Sequence, residues 1–226
     1  MAKRILLITD SLGCPRAETP VENTWTEKIL RYYTDDNDTH ITSDTGGGYF
    51  YTYCEHGLSA SWLKLDYIEE IKPDILIIQI GIVDACRRAF SRRFLRLIQI
   101  TKILEKPINI IASRHHFLFT KLHNEHYCSI QLFKHRLESV AKAAKDVLFI
   151  PIAQPGKYLM DKTYNVVNDV NAYNEIIYEV ADQYSCTVAE PYKDLADYLL
   201  DDGCHLNDKG ILAVYETVLE YLDREL

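Results

Sequence analysis

Pro73-Asp74-Ile75-Leu76-Ile77-Ile78-Gln79-Ile80-Gly81-Ile82-Val83-Asp84 reads as a strand that opens after a proline and stops at a glycine turn. Its apolar residues run on with little of the alternation of a half-exposed strand, as expected for a strand covered on both faces. Lys3 to Ile8 has the same character and ends in the turn Thr9-Asp10-Ser11-Leu12-Gly13. Outward from these two, further buried runs occupy Ile108 to Ala112 and Val147 to Ile152, and a short strand falls near Thr187-Val188. A weaker strand, Thr39 to Thr42, ends at Thr45-Gly46-Gly47-Gly48. Helical spacing marks Trp25, Ile29, Leu30 and Tyr33, then Trp62, Leu65 and Ile68, and a long amphipathic helix from about Val167 to Tyr184. Strands alternating with helices predict a three-layer α/β/α sandwich around a parallel sheet of about five strands. No repeat, low-complexity tract or linker divides the chain, so residues 1–226 are expected to form one domain.

Composition narrows the function classes. Hydrophobic residues make up 47% and charged residues 26% of the 226, as in ordinary globular proteins. The net charge of −8 argues against a nucleic-acid partner. Arg87, Arg88, Arg92, Arg93 and Arg96 form a basic cluster that reads best as a solvated helix face. No apolar run is long enough to span a membrane, and the run after Met1 is too short for a signal-peptide core. The six cysteines lack CxxC spacing and read as free thiols, which predicts a reducing cytoplasm.

The chemistry concentrates at Asp201-Asp202-Gly203-Cys204-His205-Leu206-Asn207. From Asn207 onward, Ile211, Leu212, Val214, Tyr215, Val218, Leu219 and Leu222 recur at helical spacing, and Asn207 is a natural N-cap. Asp202 and His205 thus sit on a turn held by a packed helix. A carboxylate this near an imidazole fixes its tautomer and stabilises the imidazolium, which suits a general base. The nucleophile the pair lacks is found at the other end of the chain, at Ser11. In a parallel sheet, ligands bind beyond the carboxyl ends of the strands. Ser11, the triple glycine and Gly81 to Asp84 each follow a predicted strand, with the Asp202/His205 turn farther on.

These motifs resemble those of the SGNH (GDSL-type) hydrolases. The family's opening motif is matched by Thr9-Asp10-Ser11-Leu12, with Thr9 in place of the usual glycine, and its closing motif by an intact Asp202-Gly203-Cys204-His205-Leu206-Asn207. The middle Gly-x-Asn-Asp is degraded to Gly81-Ile82-Val83-Asp84. The resemblance spans nearly the whole chain and implies the SGNH-hydrolase, flavodoxin-like fold. It also implies Ser11 as nucleophile, His205 as base and Asp202 as the orienting carboxylate. The Ser11 amide and one glycine among Gly46, Gly47 and Gly48 would then bind the oxyanion, with Gly81 and Asp84 at the edge of the site. Val83 stands where the family's third donor, an asparagine side chain, should be, and it cannot donate. Arg87, Arg88, Arg114 and Asn124 are the candidate replacements, Arg114 because it follows a predicted strand end.

The implied substrate is an O-acyl ester, attacked through an acyl-serine that water or another alcohol resolves. A small carbohydrate-linked acyl group is one expectation, with Tyr49, Phe50, Tyr51 and Tyr53 as stacking surfaces. The alternative is a catalytically weak or silent binding protein that has lost turnover through Val83. The retained Ser/Asp/His set favours catalysis. Taken singly, Ser11 is an ordinary turn residue and Asp202-Gly203 a turn signal; their joint occurrence carries the weight. The triple glycine lacks the phosphate-binding signatures, and His115, His116, His123 and His126 lack metal-ligand spacing, so neither a cofactor nor a metal is expected. The sequence leaves the oligomeric state open.

Overall fold

The structure is a computed structural model that describes residues 3–33, 48–91, 105–123, 125–193, 195 and 197–226. Five strands form one all-parallel sheet: β1 (Lys3–Thr9), β2 (Gly48–Cys54), β3 (Ile75–Gln79), β4 (Asp146–Phe149) and β5 (Thr187–Val188). Their order is β2-β1-β3-β4-β5. β1 and β3 are central, and Ile5 to Ile8 and Ile75 to Ile78 are essentially inaccessible to solvent, which explains their unbroken apolar runs.

The described helices are α1 (Trp25–Tyr33), α2 (Leu65–Ile71), α3 (Ile82–Ala85), α4 (Glu105–Arg114), α5 (His116–His123), α6 (Ile130–Ala143), α7 (Lys157–Lys162), α8 (Val166–Tyr184) and α9 (Asp208–Glu225). The chain moves one way from β1 to β2 and the other way from β2 back to β3. Right-handed crossovers therefore put α1 on one face of the sheet and α2 on the other. α9 packs beside α1, while α6 lies against α2 and α8, which completes three layers. Asn207 caps α9 as its sequence predicts, accepting from the Lys209 and Gly210 amides at 3.0 and 3.1 Å. Ile211, Val214, Val218 and Leu222 form the helix's buried face, whereas Leu212 points outward.

Two expectations need correction. The predicted strand Thr39 to Thr42 lies outside the described residues, and the second strand is instead β2, built from Gly48-Tyr-Phe-Tyr-Thr-Tyr-Cys54. Aromatic and β-branched residues suit a pleated surface. The aromatics assigned to a sugar platform therefore belong to this edge strand. Phe50 is buried and stacks on Tyr33 with ring centroids 5.2 Å apart, and Tyr51 and Tyr53 pack partly on the core. The run Ile108 to Ala112 is not a strand but part of α4. Ile110 and Ile111 are exposed, so β-branched content alone imitated a buried strand here. Pro107 sits in the first turn of α4, where a missing N–H costs no helical hydrogen bond.

Candidate active site

Ser11 follows β1 and Gly81 follows β3, so the two flank the point where the strand order reverses, the usual crevice of such sheets. The loop after β1 folds back on Asp10. The Leu12 amide donates to Asp10 Oδ1 at 3.0 Å, and the Gly13 amide to the Asp10 carbonyl at 3.2 Å. Thr9, the departure from the usual glycine, is fully buried, and its side chain fills the space above Gly13. A Cβ at Gly13 would lie 2.4 Å from the Thr9 Cγ2, so the bulk added at one position is accommodated by its absence at the other.

The Asp202/His205 turn arrives from the far end of the chain. Asp202 Oδ1 accepts from the amides of Cys204 and His205, each at 2.9 Å, which shapes the turn. Gly203 has φ +67° and faces Gly156 so closely that a Cβ on it would stand 2.9 Å from the Gly156 carbonyl. The Gly156 amide donates to the Gly203 carbonyl at 2.8 Å, tying the turn to the segment after β4.

The result is a continuous relay. His205 Nδ1 is 2.5 Å from Asp202 Oδ2, and His205 Nε2 is 3.0 Å from Ser11 Oγ. An ionised carboxylate can only accept, so the ring proton belongs on Nδ1 and Nε2 is left to receive the serine proton. Burial by itself pushes the Asp202 carboxyl up. The His205 ring and the two turn amides outweigh that effect and hold it below the ordinary carboxylate value. Asp202 is therefore ionised throughout the neutral range. Cys204, beside the base, is no rival nucleophile, because burial drives its thiol well above the usual range. Asp10 behaves oppositely to Asp202. Burial raises its carboxyl to about 7 despite the Leu12 and Gly81 amides, with Asp84 adding to the rise.

The remaining predicted residues divide. Gly81 has φ +128° and starts α3, and a Cβ there would meet Ile152 at 2.7 Å. Val83 packs partly on the core. Asp84 is fully buried and braces a neighbouring turn, accepting from Ser59 Oγ and from the Ala60 amide. Gly46 and Gly47 lie outside the described residues. Gly48 opens β2 opposite Lys3, at the edge of the sheet away from Ser11. Seven residues of strand separate those edges, roughly 20 Å, so Gly48 is no oxyanion donor.

A glycine missed in the sequence sits at the correct edge: Gly57, with φ +71°, in the turn after β2. That turn is tied to β1 by the Glu55 amide donating to the Thr9 carbonyl at 3.2 Å. Locating it required knowing that the Tyr-rich segment is the second strand.

Arg114 ends a helix rather than following a strand, and lines a cleft of about 490 Å³ that contains no member of the relay. Arg87 is engaged by Asp169 through two bonds of 2.6 and 3.0 Å. Arg88 donates to the Val83 carbonyl and lies over Tyr127, 4.1 Å from its ring centre. Asn124 is outside the described residues. His116 and His126 are spent on backbone carbonyls, and among the described residues no group of three His, Cys, Asp or Glu side chains could hold a metal. No described helix is long and apolar enough to cross a membrane. Beside the Asp202 turn lies a cleft of about 570 Å³, lined among others by Gln154, Lys157, Tyr158, Tyr198 and Asp201.

No curated protein matches the sequence. Among solved structures, TesA superposes with a TM-score of 0.62 at 14% identity, covering 99% of this chain and 100% of that one. A lipase/acylhydrolase from Enterococcus faecalis gives 0.62 at 13% identity, covering 99% and 97%. Axe2, an acetylxylan esterase from Geobacillus stearothermophilus, gives 0.58 at 16%, covering 97% and 94%. At such identities these likenesses establish the fold, that of the SGNH hydrolases. A family model, described as the GDSL-like lipase/acylhydrolase family, matches residues 8–211. With that match spanning nearly the whole chain, from the end of β1 into α9, the protein belongs to the GDSL-like lipase/acylhydrolase family.

Proposed function

We propose that the protein is a serine-dependent esterase or acyltransferase acting on O-acyl esters. The observation that carries this reading is the unbroken relay from Asp202 through His205 to Ser11. Ser11 Oγ attacks the ester carbonyl as its proton passes to His205 Nε2. The imidazolium, stabilised by Asp202, returns that proton to the leaving alcohol, and the acyl-serine is resolved by water or an acceptor alcohol. The Ser11 and Gly57 amides are the proposed oxyanion donors.

Val83 in place of a side-chain donor favours a slower enzyme. Loss of one oxyanion donor typically costs about a hundred- to thousandfold in rate. That suits a biosynthetic or trimming step in a reducing cytoplasm, in keeping with six free thiols. A carbohydrate-linked acyl group as substrate draws support from the exposed Tyr158 and from Tyr198 in the cleft beside Asp202, and from the likeness to an acetylxylan esterase. A fluorophosphonate probe tests the serine chemistry. Stoichiometric labelling of Ser11, lost in His205→Ala, is expected. An unlabelled serine in the folded protein would favour a binding protein that retains only the fold.

A further inference from the structure

Helices α4 and α5 make one nearly continuous rod, because the helical hydrogen bonds run across their junction. The His115 amide donates to the Ile111 carbonyl and the Phe119 amide to the His115 carbonyl, each at 3.0 Å. One side of the rod is fixed to the molecule. His116 Nδ1 donates to the Lys162 carbonyl at 2.9 Å, and the Phe119 ring meets Phe90 with centres 5.2 Å apart. Buried Thr120 accepts from the Tyr164 amide at 3.1 Å.

The opposite side is apolar and faces water. Ile110, Ile111, Phe117, Leu118 and Leu122 are all exposed. Leu122 and Ile110, at 67% and 64%, are the barest large apolar side chains among the described residues. Their four- and seven-residue spacings place them along one face of the rod. A surface helix ordinarily turns such a stripe toward the core, so this one is inverted. Exposed apolar surface gathered in this way marks an interaction site.

Cations run through the same face. Arg114 and Lys121, both exposed, fall between the apolar residues by the same spacing. Lys121 lies 5.7 Å from the Tyr164 ring centre, and among the described residues neither cation forms an ion pair with a carboxylate. Residues 105–123 carry three Lys or Arg against a single Glu, in a chain whose net charge is −8. The cleft beside the rod adds Lys162, one carboxylate, Asp161, and the exposed Tyr158. Tyr158 also lines the cleft next to the Asp202 turn, so the face continues toward the candidate active site.

We propose that the outward face of α4 and α5 docks the protein on an anionic phospholipid bilayer. The apolar side chains would enter the boundary between headgroups and acyl chains, with Arg114, Lys121 and Lys162 against the phosphates. This is adsorption in the plane of the membrane, which needs no helix able to cross it. Charge decides between a bilayer and a second copy of the chain. In a two-fold contact the stripe would meet itself and set cations against cations, with no acidic residue on the stripe to offset them. An anionic surface complements both the charge and the apolar area. The docking does not depend on the serine chemistry.

Flotation with vesicles of phosphatidylcholine, alone or mixed with phosphatidylglycerol, tests the proposal on the full chain. Wild type, Leu118→Gln/Leu122→Gln and Arg114→Gln/Lys121→Gln are compared at low and high salt. All four substituted side chains are exposed, so the variants should melt with the wild type. The wild type is expected to bind the mixed vesicles about tenfold or more tighter than phosphatidylcholine alone, and less tightly at high salt. Each double variant should lose about tenfold or more of that binding, one through apolar burial and the other through charge.

A wild type that stays in the aqueous phase, or equal binding to the two vesicles, would overturn the proposal. So would loss in the charge variant alone, which would reduce the effect to adsorption of scattered cations. Ultracentrifugation covers the remaining occupant. A dimer that dissociates on Leu118→Gln/Leu122→Gln, with no vesicle binding by the wild type, would assign the face to a second copy instead.

Discussion

Two aspartates near one serine are tuned in opposite directions, and the cause is visible in their contacts. Asp202 has an imidazole and two amides to stabilise its charge, so it remains ionised wherever His205 can act as a base. Asp202→Asn keeps the size of the side chain but removes the charge and permits the wrong ring tautomer. It should lower kcat for an activated ester by roughly ten-thousandfold while the protein stays folded. Retention of near-wild-type kcat would mean that the carboxylate only shapes the turn. Asp10 is fully buried, and its Oδ2 has no partner. Its folded pKa, about 7, lies above the ordinary 3.8, so the native state holds a proton that the unfolded chain releases. The associated stability is complete below about pH 4 and is lost as pH rises toward 7. Asp10→Asn cannot ionise. Its unfolding free energy relative to wild type should therefore increase between pH 4 and 7, by up to roughly 4 kcal/mol, and level off above. Urea unfolding of both proteins at several pH values measures the difference; a constant offset would contradict it.

Each proposed catalytic group is carried on a turn, and the turns depend on how strands and helices close on one another. Gly203 shows this most directly. Its positive φ and the contact with Gly156 leave no room for a side chain. Gly203→Ala should cost about 1–2 kcal/mol for the left-handed backbone alone, with more from the clash. It should also displace Asp202 and His205 together, so that kcat/KM falls at least tenfold while Tm drops by several degrees. A loss of Tm with unchanged kcat/KM would show that the turn tolerates the shift. Element by element, the sequence was legible where burial was strong. The strand before Gly81, the strand before Ser11, the Asn207 cap and, Leu212 apart, the α9 stripe are where their patterns place them. It misled where a residue type had two uses. The Tyr-rich segment reads equally as a binding surface or a strand, and its place as β2 puts Gly57, rather than Gly48, at the carboxyl edge of the sheet. Ile110 and Ile111 look like core yet lie exposed on a helix, because a β-branched run carries no record of whether a neighbouring strand exists to pair with it.

At the scale of the whole molecule, the relay joins residues 194 positions apart, Ser11 on the first strand's turn and His205 just ahead of the last helix. α9 is secured to the start of the chain. Tyr33 donates to Asp223 at 2.6 Å, and Lys3 reaches the Glu225 carbonyl. The sheet order sets both turns over one crevice, so a short motif near each end of the sequence becomes a single site. Contacts that link distant positions, such as Gln79 bridging the Trp25 indole and the Tyr192 hydroxyl, leave no periodic signal and emerge with the fold. The central claim is that Ser11 is an activated nucleophile. The most direct measurement is hydrolysis of p-nitrophenyl acetate by wild type and Ser11→Ala between pH 5 and 9. Wild-type turnover is expected to rise with pH, as general-base catalysis requires, and to vanish in Ser11→Ala. Equal rates for the two folded proteins would contradict it.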